Sequence, residues 1–181
     1  MMIQNYKKRK QTEASLRRIL IYSALFFLLA VAESSFFGSL RLLPATPDLI
    51  LGALTVIAVT DSRETALVSA IVGGVMADAL LSTGIYLTPI FFFAVALILN
   101  PISKKMMRSY LSWLTLLPIA LLLRALYTVG RAYLFGSGPG FAELLRYAVL
   151  PEVIFTAIFS LALYPIITLL ASLVRGRREL S

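Results

Sequence analysis

Apolar residues fill this chain in long blocks, separated by short polar or basic gaps. The blocks cover residues 19–37, 48–60, 65–84, 85–99, 110–135 and 151–174. Several approach the roughly 20 residues that an α-helix needs to cross a bilayer. The pattern predicts an all-α integral membrane protein of six transmembrane helices. The gaps carry the punctuation of helix ends. Thr46-Pro47-Asp48 forms a helix start, with Thr46 as N-cap, Pro47 at the first helical position and Asp48 near the positive end of the dipole. The span it opens is short, so we expect it to extend toward Arg63 or to tilt; a re-entrant segment is the alternative. Asp61 to Glu64 make a polar turn. Ser82-Thr83-Gly84 ends the third helix, and Asn100-Pro101 stops the fourth. GSGPG at 136–140 is a flexible turn. Residues 141–150 are mildly amphipathic and suit the membrane interface.

The third block, TALVSAIVGGVMADALLSTG, has the most internal order. Ala66, Ala70, Gly74, Asp78 and Ser82 recur every four residues, with Ser69, Gly73 and Ala77 in a parallel row. Residues four apart share a helix face. Ala66, Ala70, Gly73, Gly74, Ala77 and Asp78 therefore form a candidate helix-packing stripe, smooth enough for a neighbouring helix to approach closely. Membrane helices pack in this way because lipid supplies no hydrophobic drive between them.

Composition agrees with the pattern. Of 181 residues, 59% are hydrophobic, and the mean hydropathy is +0.87, against about 45–50% apolar in soluble domains. The chain divides into a basic N-terminal segment at 1–18, a membrane domain at 19–174 and a basic tail at 175–181. A basic start followed by an apolar run also describes a cleavable signal peptide. Here the apolar character continues past Glu33 to Phe37, as in an uncleaved first span. Cysteine and histidine are absent, which removes disulfides, thiol nucleophiles, imidazole bases and the usual zinc ligands.

Charge placement predicts topology. Thirteen of the seventeen Lys and Arg residues fall at the two ends and in the gaps at 61–64 and 100–109. The positive-inside rule puts both termini and those gaps in the cytoplasm. The net charge of +8 thus marks topology and attraction to anionic lipid, not nucleic-acid binding. The same topology puts Glu33, Asp48, Asp78, Arg124, Arg131 and Glu152 in the outer half of the membrane, as a candidate intramembrane polar cluster. A lone charge near a span centre costs about 2.5–3.5 kcal/mol on insertion scales, so matched depths imply pairing or a shared wet pocket. We expect Asp78 to meet Arg124 or Arg131. The blander roles are helix caps for Asp48 and Glu152, structural glue for Asp78 and snorkelling for Arg131.

No P-loop, GxSxG elbow, HExxH or paired-aspartate motif occurs. Gly73-Gly74 lies inside an apolar helix, where glycines pack and do not cradle phosphate. No cofactor or metal is expected, and no reaction class is indicated for an enzyme.

Several short features together resemble the MreD family of bacterial rod shape-determining proteins. They are Pro47-Asp48 opening a short apolar helix, Gly73-Gly74 and Asp78-Ala79-Leu80-Leu81 with Gly84, then Pro151 and Tyr164-Pro165 in the last span. The long basic N-terminus departs from the family pattern. The resemblance implies a non-enzymatic scaffold of the cell-elongation machinery (the elongasome) in the cell inner membrane. Its implied partner is MreC, with indirect links to MreB filaments and to peptidoglycan synthesis by RodA–penicillin-binding-protein pairs. It also implies an architecture similar to the substrate-binding subunits of energy-coupling-factor transporters. A vitamin-type transporter subunit is therefore the alternative function.

Overall fold

The shortest apolar helix is the most deeply buried one. In the computed structural model, α2 (Leu49–Thr60) has every residue from Leu49 to Val59 buried. It packs against α1 (Met2–Ala32), α3 (Arg63–Leu81), α4 (Thr88–Lys105), α5 (Tyr110–Phe135) and α7 (Leu150–Gly176). A helix that is apolar all round belongs inside a bundle. At 1.5 Å per residue, its 12 residues reach about 18 Å, well short of a roughly 30 Å hydrocarbon core. The structure describes residues 2–37, 46–81, 86–106, 109–135 and 140–176, with side chains described for 15–35 in the first of these stretches and to 172 in the last.

A buried helix must find partners for its terminal backbone groups. At the start of α2 the N-cap is Asp48, whose side chain accepts from the Leu51 amide at 2.7 Å. Thr46 and Pro47 lie outside the helix, so the expected Thr46 cap is replaced by a cap two residues later. At the other end the helix stops at Thr60, with Asp61 as C-cap, and does not extend toward Arg63. The Asn100 side-chain amide on α4 donates to the carbonyls of Ala58, at 2.8 Å, and Asp61, at 3.3 Å.

Asn100 and Pro101 do not stop α4, which continues to Lys105. Proline removes one backbone hydrogen bond, a loss that tertiary contacts and neighbouring hydroxyls make tolerable in membrane helices. Pro151 similarly fails to start a helix. The chain is helical from α6 (Phe141–Leu144) through a π-helical segment, Leu145–Val149, into α7. A widened turn beside a proline is a recognised way to absorb its missing donor. A second π-helical segment, Glu33–Phe37, follows α1. α1 begins at Met2 and runs without a break from the basic segment into the first apolar stretch.

The small-residue stripe of α3 does the packing expected of it. Ala66, Ala70, Gly73, Gly74, Ala77 and Asp78 are all buried. A Cβ on Gly74 would overlap the Cα of Pro89 and sit 2.6 Å from its nitrogen, so α3 and α4 meet backbone to backbone. Gly73 faces the Phe26 ring of α1, which a Cβ would approach to 3.1 Å. Ser82-Thr83-Gly84 and Arg41 lie outside the described residues.

Large apolar side chains also cover the exterior, among them Leu20 and Leu28 on α1, Leu122 and Leu126 on α5 and Leu169 on α7. Among the described residues, four helical stretches are long and apolar enough to cross a membrane: Ser15–Ser35, Arg63–Leu81, Tyr110–Phe135 and Phe141–Ser172. The all-helical class expected from the sequence holds, and no strand occurs among the described residues.

Candidate functional site

The charged residues singled out in the sequence converge on one end of the bundle. α1 and α3 finish there, α2, α4 and α7 begin there, and α5 passes through with its second half. Arg124 on α5 is the hub. Its Nε donates to Oε1 of Glu152 on α7 at 2.7 Å, and its terminal nitrogen lies 3.2 Å from Oδ2 of Asp48. Thr128, one turn along α5, donates to the other Glu152 oxygen at 3.2 Å. Asp48 also donates its backbone N–H to the Thr156 hydroxyl of α7 at 2.9 Å. The charge of Arg124 is thus shared by two carboxylates from two other helices. Its guanidinium carbon also lies 5.5 Å from the centre of the Tyr127 ring, within cation–π range.

Asp78 behaves differently from expectation. Among the described residues it forms no ion pair with Arg124 or Arg131. Its Oδ2 accepts from the Thr88 amide at 3.1 Å, which satisfies a free N–H in the first turn of α4. The reason is local. The backbone contact at Gly74 draws the start of α4 against α3, so a backbone donor reaches Asp78, while Arg124 is held by Asp48 and Glu152. Glu152 is likewise no helix cap, because the helix already runs through it.

Glu33, at the first position after α1, reaches the start of α2. Its carboxylate accepts from the Leu49 amide at 3.2 Å. Glu33 and Asp78 are only 9% and 5% exposed. Both face a cavity of about 380 Å³, whose wall also includes Asp48, Thr88, Arg124 and Arg131. Arg131 lies two turns beyond Arg124 on the same face of α5. It makes no ion pair among the described residues.

A second charged site, at the opposite end of α2, was not singled out from the sequence. Asp61, 1% exposed, pairs with Arg18 of α1 and accepts from the Tyr22 hydroxyl at 2.9 Å. Its backbone neighbour Ser62 donates an amide to it at 2.7 Å. Arg18 is the last basic residue before the apolar run, and Asp61 opens a polar turn, so each had a sufficient explanation alone. Both ends of the central helix therefore carry an aspartate held by an arginine from another helix. Among the described residues, no group of His, Cys, Asp or Glu has the arrangement of a metal site.

An apolar exterior around helices of spanning length defines a multi-pass helical membrane protein. No family model, no curated protein and no solved structure matches the chain.

Proposed function

We propose that this chain is a non-enzymatic scaffold of the bacterial cell-elongation machinery, of the MreD kind. On this reading it has six helices in the cytoplasmic membrane, with α2 and α4 counted among the spans, and both termini in the cytoplasm. It holds the transmembrane or periplasmic part of an MreC-like protein, while its basic cytoplasmic segments face MreB filaments and lipid. The charged cavity then lies on the outer side.

The observation that carries this reading is the use of the buried charges as fasteners. Arg124 ties α5 to α2 and α7, Arg18 ties α1 to the end of α2, and Asp78 and Glu33 hold helix starts. The ion pairs of Arg124 and Arg18, which hold helices together, support a rigid binding frame. A cell test follows from the α3–α4 contact. Gly74→Leu should abolish both capture of the MreC-like partner and rod shape. Retention of both would contradict the scaffold.

The cavity specifically favours a second reading, a substrate-binding subunit of a small-molecule transporter. That reading requires a small molecule retained on purification and uptake that depends on this chain. The scaffold requires neither.

A further inference from the structure

The cavity holds a charge imbalance among the described residues. Two guanidinium groups, Arg124 and Arg131, and three carboxylates, Glu33, Asp48 and Asp78, line it, and a fourth carboxylate, Glu152, is bonded to Arg124. Asp48 and Glu152 are engaged by Arg124. Glu33 and Asp78 each accept one backbone N–H and form no ion pair among the described residues, Arg124 acting on Glu33 only at longer range. Burying an ionised carboxylate without a counter-charge is costly, and a second hydrogen-bond donor per carboxylate is what such a site lacks. Arg131, on the same cavity wall, has the complementary deficit, a cation with no ion pair among the described residues.

We propose that the cavity binds a compact zwitterion, with a primary ammonium between Glu33 and Asp78 and an anionic group on Arg131. A primary ammonium offers three donors, enough to serve both carboxylates at once. A guanidinium suits a carboxylate or phosphate partner because its planar fork can bind either in a bidentate way. The volume of about 380 Å³ lies at the small end of the roughly 300–1,000 Å³ of ligand pockets, so the ligand is small. Two sources carry this chemistry: a free amino acid or aminoalkyl phosphate, and the headgroup of phosphatidylethanolamine. The inference holds for either proposed function, because it concerns the chain alone.

The test uses the full chain in nanodiscs of phosphatidylcholine, whose quaternary ammonium has no N–H to donate. Calorimetric titration with γ-aminobutyrate and phosphoethanolamine is compared with butylamine, butyrate and phosphocholine. A parallel arm measures thermal stability in nanodiscs with and without phosphatidylethanolamine. Binding of a soluble zwitterion assigns a free ligand; stabilisation by phosphatidylethanolamine alone assigns the lipid headgroup. Either result should weaken by about tenfold or more in Glu33→Gln and in Asp78→Asn, as for loss of one member of a buried charge pair. Arg131→Gln, at a partly exposed residue with no ion pair among the described residues, should fold normally and reduce a zwitterion to the affinity of butylamine. Failure of both arms overturns the proposal. So does equal binding of zwitterion and plain amine, or binding unchanged in Arg131→Gln. None of these three failures would bear on partner capture, so the scaffold reading is tested separately.

Discussion

Nε of Arg124 on α5 lies 2.7 Å from Oε1 of Glu152 on α7, and the same guanidinium reaches Asp48 at the start of α2. Three helices separated in sequence are thereby joined at one point. The Arg124 side chain is 20% exposed, Asp48 7% and Glu152 12%, so water can replace little of what the arginine supplies. Arg124→Gln should lower unfolding free energy by about 3–5 kcal/mol, because it strands two buried carboxylates. Adding Glu152→Gln should restore part of that loss. Reversible unfolding of the single and double variants in bicelles checks the coupling; strictly additive losses would show that the pair does not interact.

Asp48 has two separable duties, capping α2 and pairing with Arg124. Asp48→Asn keeps the cap oxygen and loses the charge, whereas Asp48→Ala loses both. The alanine variant should be less stable than the asparagine variant by about 1 kcal/mol, the usual worth of an N-cap. Equal stabilities in the same unfolding assay would remove the cap from the account.

The helix contact at Gly74 makes a steric prediction. A methyl group there meets the Pro89 backbone, which cannot rotate away, while a Cβ on Gly130 meets nothing within 4 Å. Gly74→Ala should therefore destabilise by about 1–3 kcal/mol, the range for overpacking. Gly130→Ala should be neutral or stabilising by up to about 1 kcal/mol, since alanine is the better helix former. Melting temperatures of the two variants, measured side by side, decide the matter.

The clasp at the other end of α2 predicts local loosening of α1. Tyr22→Phe removes one hydrogen bond to a buried carboxylate, worth about 1.5–3 kcal/mol. Hydrogen exchange should rise across the first half of α1's apolar stretch and around Asp61, more than near Glu33. A uniform rise would mean that the clasp is not a local fastening.

These relationships were unevenly legible in the sequence. The stripe at Ala66, Ala70, Gly74 and Asp78 was plain, because helical periodicity states which residues share a face. Depth along each span likewise put Glu33, Asp48, Asp78, Arg124, Arg131 and Glu152 in the same half of the bundle. Depth does not say which helices are neighbours, and there the expectation failed: Arg124 went to Asp48 and Glu152, while Asp78 took the Thr88 amide. Backbone donors are invisible to a count of charged side chains. The central place of α2 is not read from the sequence, where its shortness points to extension toward Arg63 or to tilt; only its all-round apolarity fits burial on every side. Asn100-Pro101 reads as a helix stop in the sequence, whereas the Asn100 amide caps the carbonyl end of α2.

The proposed topology is open to direct labelling, since the chain contains no cysteine. Glu143→Cys should react with a membrane-impermeant maleimide in intact cells. Lys104→Cys should react only after lysis. The reverse pattern would invert the topology, and labelling of both from one side would remove a span between them.

The central claim is that this protein captures a partner of the elongation machinery. Affinity purification of the intact chain from its native membrane, with mass-spectrometric identification of what accompanies it, tests that claim most directly. The account predicts recovery of an MreC-like protein in stoichiometric amount. Recovery of ATPase subunits together with a retained small molecule, and no MreC-like protein, would contradict it.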